Sequence, residues 1–443
     1  MTRDGLIAEA VEHHRAGRLD DAETAYKNLL ADTPDDPGIM HNLAVLAAQS
    51  GRRPEAIDLF GRAIESDPGY VSAHLNRAHA LRQEGRADEA IDSYRRVTAL
   101  EPDHYDAHRA LGFLWLGLGR RDRALDHFAR TMDLRRGEDR TGLAGKSLTH
   151  ATRAKLLHDA GLLRHAPALD RIRHGMELRA RAYEGVAREI DASHGDHEAV
   201  LLTEDQLDRL GDDFNTPFHL NDAPELPGPA INPGLDIPAI TTEFVDPPGA
   251  AWFDDLLTRD ALVALRNYLM TSSIWFDFTH IPGFLASYLE DGLACPLVLQ
   301  IADELRAAFP DMLGDHALSQ AWAFKGIAND LPIDLHADDA VVSVNFWVTP
   351  DSANLDPDHG GLLVCKTPPP KEWHMRDYDS DTVRIHRFFD QHADHRMIVP
   401  YRDNRGVIFD SRLFHGSDAP RFRPEYEHHR INITLLFGDR GDD

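Results

Sequence analysis

Four His-x-Asp pairs stand in the sequence: His104 with Asp106, His194 with Asp196, His336 with Asp338, and His392 with Asp394. On an extended chain, residues two apart project to the same side, so each pair can turn an imidazole and a carboxylate toward one ion. With 26 histidines and 74 acidic residues in the chain, the tripeptide also arises by chance, and context has to decide. His104 lies in a loop entering a helix, His194 ends a helix in a polar stretch, and His392 belongs to the charged segment DQHADHR. His336 differs. It closes the partly apolar run Leu331-Pro332-Ile333-Asp334-Leu335 and precedes the strongly β-prone VVSVNFWVT. Two imidazoles and one carboxylate on one face of a metal leave its other positions open to substrates, so this pair needs one more histidine from a distant strand. His415, directly after GVIFDSRLF, is the best candidate.

The last strand, RINITLLFG, adds a second chemical element. Arg430, Asn432 and Thr434 face one side, and Ile431, Ile433 and Leu435 the other. An arginine on an inward face is costly unless something anionic meets it. Its planar fork suits the far carboxylate of a dicarboxylate co-substrate. Asn345 and Trp347 share a face of the strand after the metal pair, where either can line a pocket. Asp410 and Arg412 lie close to His415 in sequence, and Arg405, in the turn Asn404-Arg405-Gly406, reads as structural. Covalent catalysis finds little support: Cys365 sits in an apolar strand, and there is no G-x-S-x-G elbow or phosphate loop.

These residues need a β scaffold, and short strands dominate from residue 320 onward. The pattern predicts them at 321–327, 341–349, 360–366, 397–402, 406–411 and 430–437, in keeping with a sandwich or jelly roll. Helices are expected from Thr258, as cap, to about Met270 with Leu262, Leu265 and Leu269 inward, and after Pro296 with Leu297, Ile301, Leu305 and Phe309 on one face. They would cover one outer face of the sheets. Upstream, eight prolines between Pro217 and Pro248 argue against regular helix and for an extended strap that lies on protein through residues such as Phe218, Ile231 and Ile240. Before it, Ser147 to about Leu163 reads as one helix. A second carries Leu169, Ile172, Met176, Ala180, Tyr183, Ala187 and Ile190 as a packing stripe, expected to lie against the last repeat of the N-terminal region.

That region repeats with a period of 34 residues. Gly17, Gly51, Gly85 and Gly119 recur at this interval, as do Ala22, Ala56, Ala90 and Ala124, each followed by Tyr26, Phe60, Tyr94 or Phe128. Pro34, Pro68 and Pro102 close three repeats, and Arg136 takes the proline slot in the fourth. Small residues let paired helices approach, glycine turns the chain between them, and the aromatic fills the next interface. Residues 1–136 resemble a tetratricopeptide repeat array. The resemblance implies a concave groove lined by the first helices that takes peptides or partner proteins. Asn42 and Asn76, one period apart on that helix, are placed to hold a peptide backbone, while Ala8 and Ala110 fill the slot in the outer repeats.

Composition bounds the partners. A formal charge of −27 repels a phosphate backbone, and no basic block interleaved with aromatics offers an exception, so nucleic acid is not expected. Two cysteines, Cys295 and Cys365, exclude a disulfide framework and a cysteine-based zinc site. With no run as long as a membrane span and no signal-like start, a cytoplasmic protein is expected.

The strand-rich half carries a second resemblance. The segments LHADDAVVSVNFWVTPD, HGGLLV, VPYRDNRGVIFDSRLFHGSD and HHRINITLLFGDR are similar to the Fe(II)- and 2-oxoglutarate-dependent dioxygenases, in their prolyl-hydroxylase-like branch. Bacterial proteins joining tetratricopeptide repeats to such a domain are the nearest likeness. It implies an α+β multidomain chain: an N-terminal α-solenoid of four repeats (1–136), a helical connector (137–215), the proline-rich strap (216–250), and a double-stranded β-helix, or jelly roll, with flanking helices (251–441). It implies His336, Asp338 and His415 as iron ligands and Arg430 as the grip on 2-oxoglutarate, with O2 as the third reactant. Two departures from the family pattern are visible. Arg430 lies farther beyond the distal histidine than usual, and Asn432 stands where many members have serine, with Thr434 as a substitute contact. The activity so implied is hydroxylation of a protein or peptide side chain recruited by the repeats, with release of succinate and carbon dioxide. An oxygenase acting on a small molecule, its repeats serving dimerisation or docking, is the alternative within the class. A tetratricopeptide scaffold with an inert jelly roll is the alternative outside it.

Overall fold

The computed structural model describes residues 2–137, 148–166, 170–190, 195–212, 214–245, 249–373 and 381–439. The chain divides into two compact units, Met1–Leu118 and Gly119–Asp443. No helix among the described residues is long and apolar enough to cross a membrane.

The first unit contains seven helices: α1 (Arg3–Arg15), α2 (Leu19–Asp32), α3 (Pro37–Gln49), α4 (Arg53–Ser66), α5 (Val71–Gln83), α6 (Ala87–Leu100) and α7 (Tyr105–Gly117). The periodic residues explain the geometry. Gly17, Gly51 and Gly85 sit at φ +73°, +76° and +72°, a left-handed turn that costs other residues about 1–2 kcal/mol. Ala10, Ala22, Ala44, Ala56, Ala78 and Ala90 are wholly buried where helices meet, and Tyr26, Phe60 and Tyr94 fill the spaces between pairs. Asp36 and His104 cap α3 and α7 by accepting from the N–H groups of Ile39 and Ala107.

In the second unit, α8 (Arg121–Arg136) comes first. The sequence period runs to Arg136, whereas the division into units falls one helix earlier. The residue in the proline slot shows why. Arg136 forms a bidentate, fully buried pair with Asp291, Nε to Oδ1 at 3.1 Å and Nη2 to Oδ2 at 2.8 Å, and its guanidinium lies 4.7 Å from the Phe276 ring. Thr131 adds a bond to the Glu290 carbonyl at 3.0 Å.

Next come α9 (Arg153–His165), α10 (Asp170–Glu189) and α11 (Glu204–Leu210). The helix expected from Ser147 starts at Arg153 instead. Thr152 caps it, and β1 (His150–Ala151) pairs with β2 (Val200–Leu201). The α10 stripe Ala180, Tyr183, Ala187 and Ile190 shares its core with α9 and α11 through Leu156, Leu163 and Leu210, which corrects the expectation of packing on the last repeat. Leu169 and the side chain of Ile172 lie outside the described residues, as do His194, Pro247 and Pro248.

The strap is tied down by side chains that accept from its backbone. Ser273 and Ser272 take the N–H groups of His219 and Asn221, Gln300 takes that of Leu226, and one Glu304 oxygen takes those of both Ala230 and Ile231. It is not free of helix, however. In α12 (Ile237–Val245), Pro238 occupies the first turn, where a missing N–H is harmless, and Ala239 to Val245 contains no other proline.

The two expected helices are α13 (Arg259–Thr271), capped by Thr258, and α14 (Pro296–Ala308), followed by α15 (Pro310–Leu313). Leu265 and Leu269 are buried and Leu262 half-buried. The remaining strands are β3 (Ala250–Phe253), β4 (Phe284–Tyr288), β5 (Leu318–Gly326), β6 (Val342–Trp347), β7 (Leu362–Cys365), β8 (Arg396–Val399), β9 (Gly406–Asp410), β10 (His415–Ser417) and β11 (Arg430–Phe437). They form two open antiparallel sheets, ordered β3-β9-β6-β11-β5-β4 and β10-β7-β8. Trp347, Val407 and Phe409 from the larger sheet share one core with Leu362, Val364 and Val399 from the smaller. One further helix, α16 (Thr382–Gln391), packs Ile385, Phe388 and Phe389 against Leu335, Ala337 and Phe414.

Candidate metal centre

Cross-strand register assembles the site. His336 and His415 are directly opposed, each backbone N–H donating to the other's carbonyl at 2.9 Å. Opposed residues put their side chains on the same face, and here the ring centroids are 4.4 Å apart. Asp338 reaches that face two residues on, its own N–H held by the Ser411 carbonyl. Its Oδ1 lies 3.7 Å from His336 Nε2 and its Oδ2 3.4 Å from His415 Nε2. One ligand atom from each of the three falls within 4.8 Å of the others, the sole such group of three or more histidine, cysteine or carboxylate residues among the described residues.

The donor set fits a divalent cation. His336 Nδ1 donates to the Asp334 carbonyl at 2.8 Å and His415 Nδ1 to the Leu413 carbonyl at 2.9 Å. With those protons so placed, both Nε2 lone pairs are free for a metal, an arrangement that fixes tautomer and ring orientation. The Ser343 hydroxyl donates to Asp338 Oδ2 at 2.6 Å. Burial pushes the Asp338 carboxyl up, but His415, His336 and Ser343 outweigh it and bring it down to about 2, so it is ionised and ready to ligate. His336 is partly open to the cavity; Asp338 and His415 are buried.

A cavity of about 550 Å³ opens on this group. Register carries four other sequence candidates into it. Thr434 lies opposite Asn345, and Asn432 opposite Trp347 on one flank and Phe324 on the other. Arg430 is 2% exposed, and no carboxylate pairs with it among the described residues. Its N–H groups instead meet neutral oxygens: Nε to Gly360 O at 2.8 Å, Nη2 to Gly361 O at 3.4 Å and Nη1 to Asn432 Oδ1 at 3.0 Å. Burial pulls the guanidinium down to about 10, the cost of a desolvated cation without a counterion. Asn432 therefore orients the arginine, while the Thr434 hydroxyl accepts from Asn345 Nδ2 at 3.2 Å. Asn345 Oδ1 and Trp347 Nε1 are buried without partners.

Sequence reasoning missed several contributors. Gly361 could be read from HGG, since a Cβ there would lie 1.8 Å from the Val399 carbonyl oxygen. The wall formed by Tyr288, Trp322 and Phe324, and α16 with Ile385 at the cavity, left no comparable signal. Arg405 bonds Asp254 and the Pro400 carbonyl away from the cavity, and Asp410 pairs with Arg412. In the first unit, Asn76 Nδ2 meets His41 Nε2 at 2.9 Å, and Asn42 is half-buried one turn-pair earlier.

Comparison with known proteins speaks to the N-terminal region. Two tetratricopeptide repeat family models match, over residues 7–71 and 81–140. The N-terminal region is a tetratricopeptide repeat array. Arrays of this kind generally mediate contacts between proteins. Among solved structures, a MamA structure is 28% identical, covering 32% of this chain and 79% of its own, with TM-score 0.29. YrrB, described as a TPR protein with an unusual peptide-binding site, is 19% identical, covering 30% and 69%, with TM-score 0.28. No curated protein matches the sequence.

Proposed function

We propose that the second unit is an Fe(II)- and 2-oxoglutarate-dependent dioxygenase on a double-stranded β-helix, hydroxylating a protein or peptide side chain recruited by the tetratricopeptide array. One conjunction carries this reading: a three-ligand metal set with both Nε2 atoms bare shares a cavity with a buried arginine that lacks a counterion. Two antiparallel sheets sharing a core beside that cavity support the jelly-roll assignment. Iron(II), 2-oxoglutarate and dioxygen together supply oxidative decarboxylation to succinate and carbon dioxide, coupled to oxidation of a substrate C–H bond.

The chain's own residues bind, orient and exclude water. His336, Asp338 and His415 hold the ion from one side and leave the cavity side open. Arg430, aimed by Gly360 and Asn432, takes the far carboxylate of the dicarboxylate in a charge-assisted pair. Asn345 Oδ1 and Trp347 Nε1 offer one acceptor and one donor beside it. Tyr288, Trp322 and Phe324 keep the substrate side apolar and dry.

In air with Fe(II), the full chain is expected to convert 2-oxoglutarate into succinate, and Asp338→Ala is not. Equal succinate from the two proteins would contradict the reading. A chain lacking residues 1–118 should keep basal turnover and lose its stimulation by the peptide substrate; undiminished stimulation would remove the recruiting role of the repeats.

A further inference from the structure

A second cavity, of about 480 Å³, lies within the C-terminal unit between α9, the turn at residues 195–197 and the segment from Pro424 to His429. It shares no lining residue with the candidate metal centre. Its polar lining is unusual in what is left uncommitted. Arg164 is taken by Glu177 and Glu184, Asp196 by Arg153, and the Tyr426 hydroxyl by the Met270 carbonyl. Both ends of the Asn329 amide are used by the backbone of Phe422. What remains is three imidazole nitrogens: His158 Nε2, His197 Nδ1 and His429 Nδ1 are buried with no partner.

Two of these are acceptors by their surroundings. His158 Nδ1 donates to the Asp159 carboxylate at 2.9 Å, which leaves Nε2 as a bare lone pair. The Pro424 carbonyl accepts from the His429 ring, which leaves its Nδ1 bare. Burial, with Lys325 nearby, holds both rings well below the usual imidazole range, so both are neutral. The rings stack at 6.2 Å with 21° between their planes, and Tyr426 packs on both. Gly161 admits that tyrosine, since a Cβ there would come within 2.8 Å of it. Leu157, Ile327 and Ala328 give the cavity an apolar wall. A metal ion does not match, because these nitrogens do not form a ligand group of the kind found at His336.

We propose that this cavity is a second binding site, taking a small neutral molecule with an apolar body and N–H donors, of which a primary amide is the simplest form. Unpartnered buried acceptors are rare in folded proteins because each forfeits hydration, so a ligand that donates to them is favoured over one that accepts. A carboxylate of the same shape would set oxygen lone pairs against nitrogen lone pairs and be rejected.

Benzamide and benzoate test this directly, being nearly the same shape with donors exchanged for acceptors. In full-length protein with 15N-labelled histidine, benzamide should shift the His158 and His429 ring signals along one saturating curve, and benzoate should leave them in place. His429→Phe keeps a ring for the stack and should weaken benzamide about tenfold, which is about 1.4 kcal/mol. His197→Ala, on the turn, provides an independent variant should the buried one fail to fold, and should also weaken binding. His336→Ala should leave benzamide binding unchanged, so failure here and failure of the iron reading are distinguishable. Equal response to both probes, or no response of either ring signal to benzamide, would overturn the proposal and leave a solvent-filled cavity.

Discussion

The repeat array and the sheet unit solve the same problem in opposite ways. In the array, each buried alanine meets its partner one helix away, and Gly17, Gly51 and Gly85 impose the same left-handed turn at one spacing. In the sheet unit, His336 and His415 are far apart in sequence and become neighbours only through a two-residue bridge between sheet segments. A periodic structure distributes its tolerance, because each repeat contacts only its neighbours. A site made by register concentrates its risk, because a slip of one residue turns every side chain to the other face.

Substitutions can break that contrast. The largest effect is expected at Asp338→Ala, which should abolish measurable metal binding while leaving the fold intact, read by metal titration alongside circular dichroism. Ser343→Ala, which removes only the hydrogen bond orienting Asp338, should weaken the metal about 10–100-fold. Next comes Arg136→Ala. It strands Asp291 as a buried, unpaired charge and should cost about 3–5 kcal/mol in denaturant unfolding of the C-terminal unit. Because Arg136 closes the last sequence repeat yet is held by Asp291, a truncation at residue 136 should be far less stable than one at residue 118; equal stability would contradict the division of units. Gly51→Ala should cost about 1–2 kcal/mol in the array alone, since open space surrounds its Cβ position and only the backbone objects. Metal binding should not change.

The smallest effect is a pH dependence. Burial, together with Asp351 nearby, pushes the Asp403 carboxyl up to about 6. A carboxyl raised in the folded state contributes stability that is full below its unfolded value of about 4 and is lost as pH rises through about 6. Asp403→Asn, which mimics the protonated form, should match the natural protein near pH 4 and exceed it in melting temperature at pH 8. A constant difference across that range would assign the effect to packing.

The same contrast governs what the sequence could reveal. The array was legible because its glycines, alanines and aromatics recur, and the departure at Arg136 was visible as a missing proline although not its tie to Asp291. Strands β5 to β9 and β11 announced themselves by apolar runs such as VVSVNFWVT. Three-residue β10 and the short β4, FLASY, carry too little pattern to stand out. Helix α16 hid because Ile385, Phe388 and Phe389 alternate with charged residues. In the site, His336, Asp338, His415 and the Arg430 face could be nominated from strand context. The carbonyls of Gly360 and Gly361 could not, because they act through backbone atoms brought up from another sheet. The aromatic wall of Trp322 and Phe324 reaches the cavity only through the pairing of β5 with β11, which no single segment encodes.

The central claim is that one cavity holds both a three-ligand iron site and a carboxylate-seeking arginine. Adding Fe(II) and 2-oxoglutarate to the purified full chain without oxygen tests it most directly, through the visible charge-transfer band of a keto acid chelated to iron(II). The account predicts a band that is lost in His336→Ala and needs much more 2-oxoglutarate in Arg430→Ala. No band from folded protein freed of other metals, or a band indifferent to both substitutions, would contradict it.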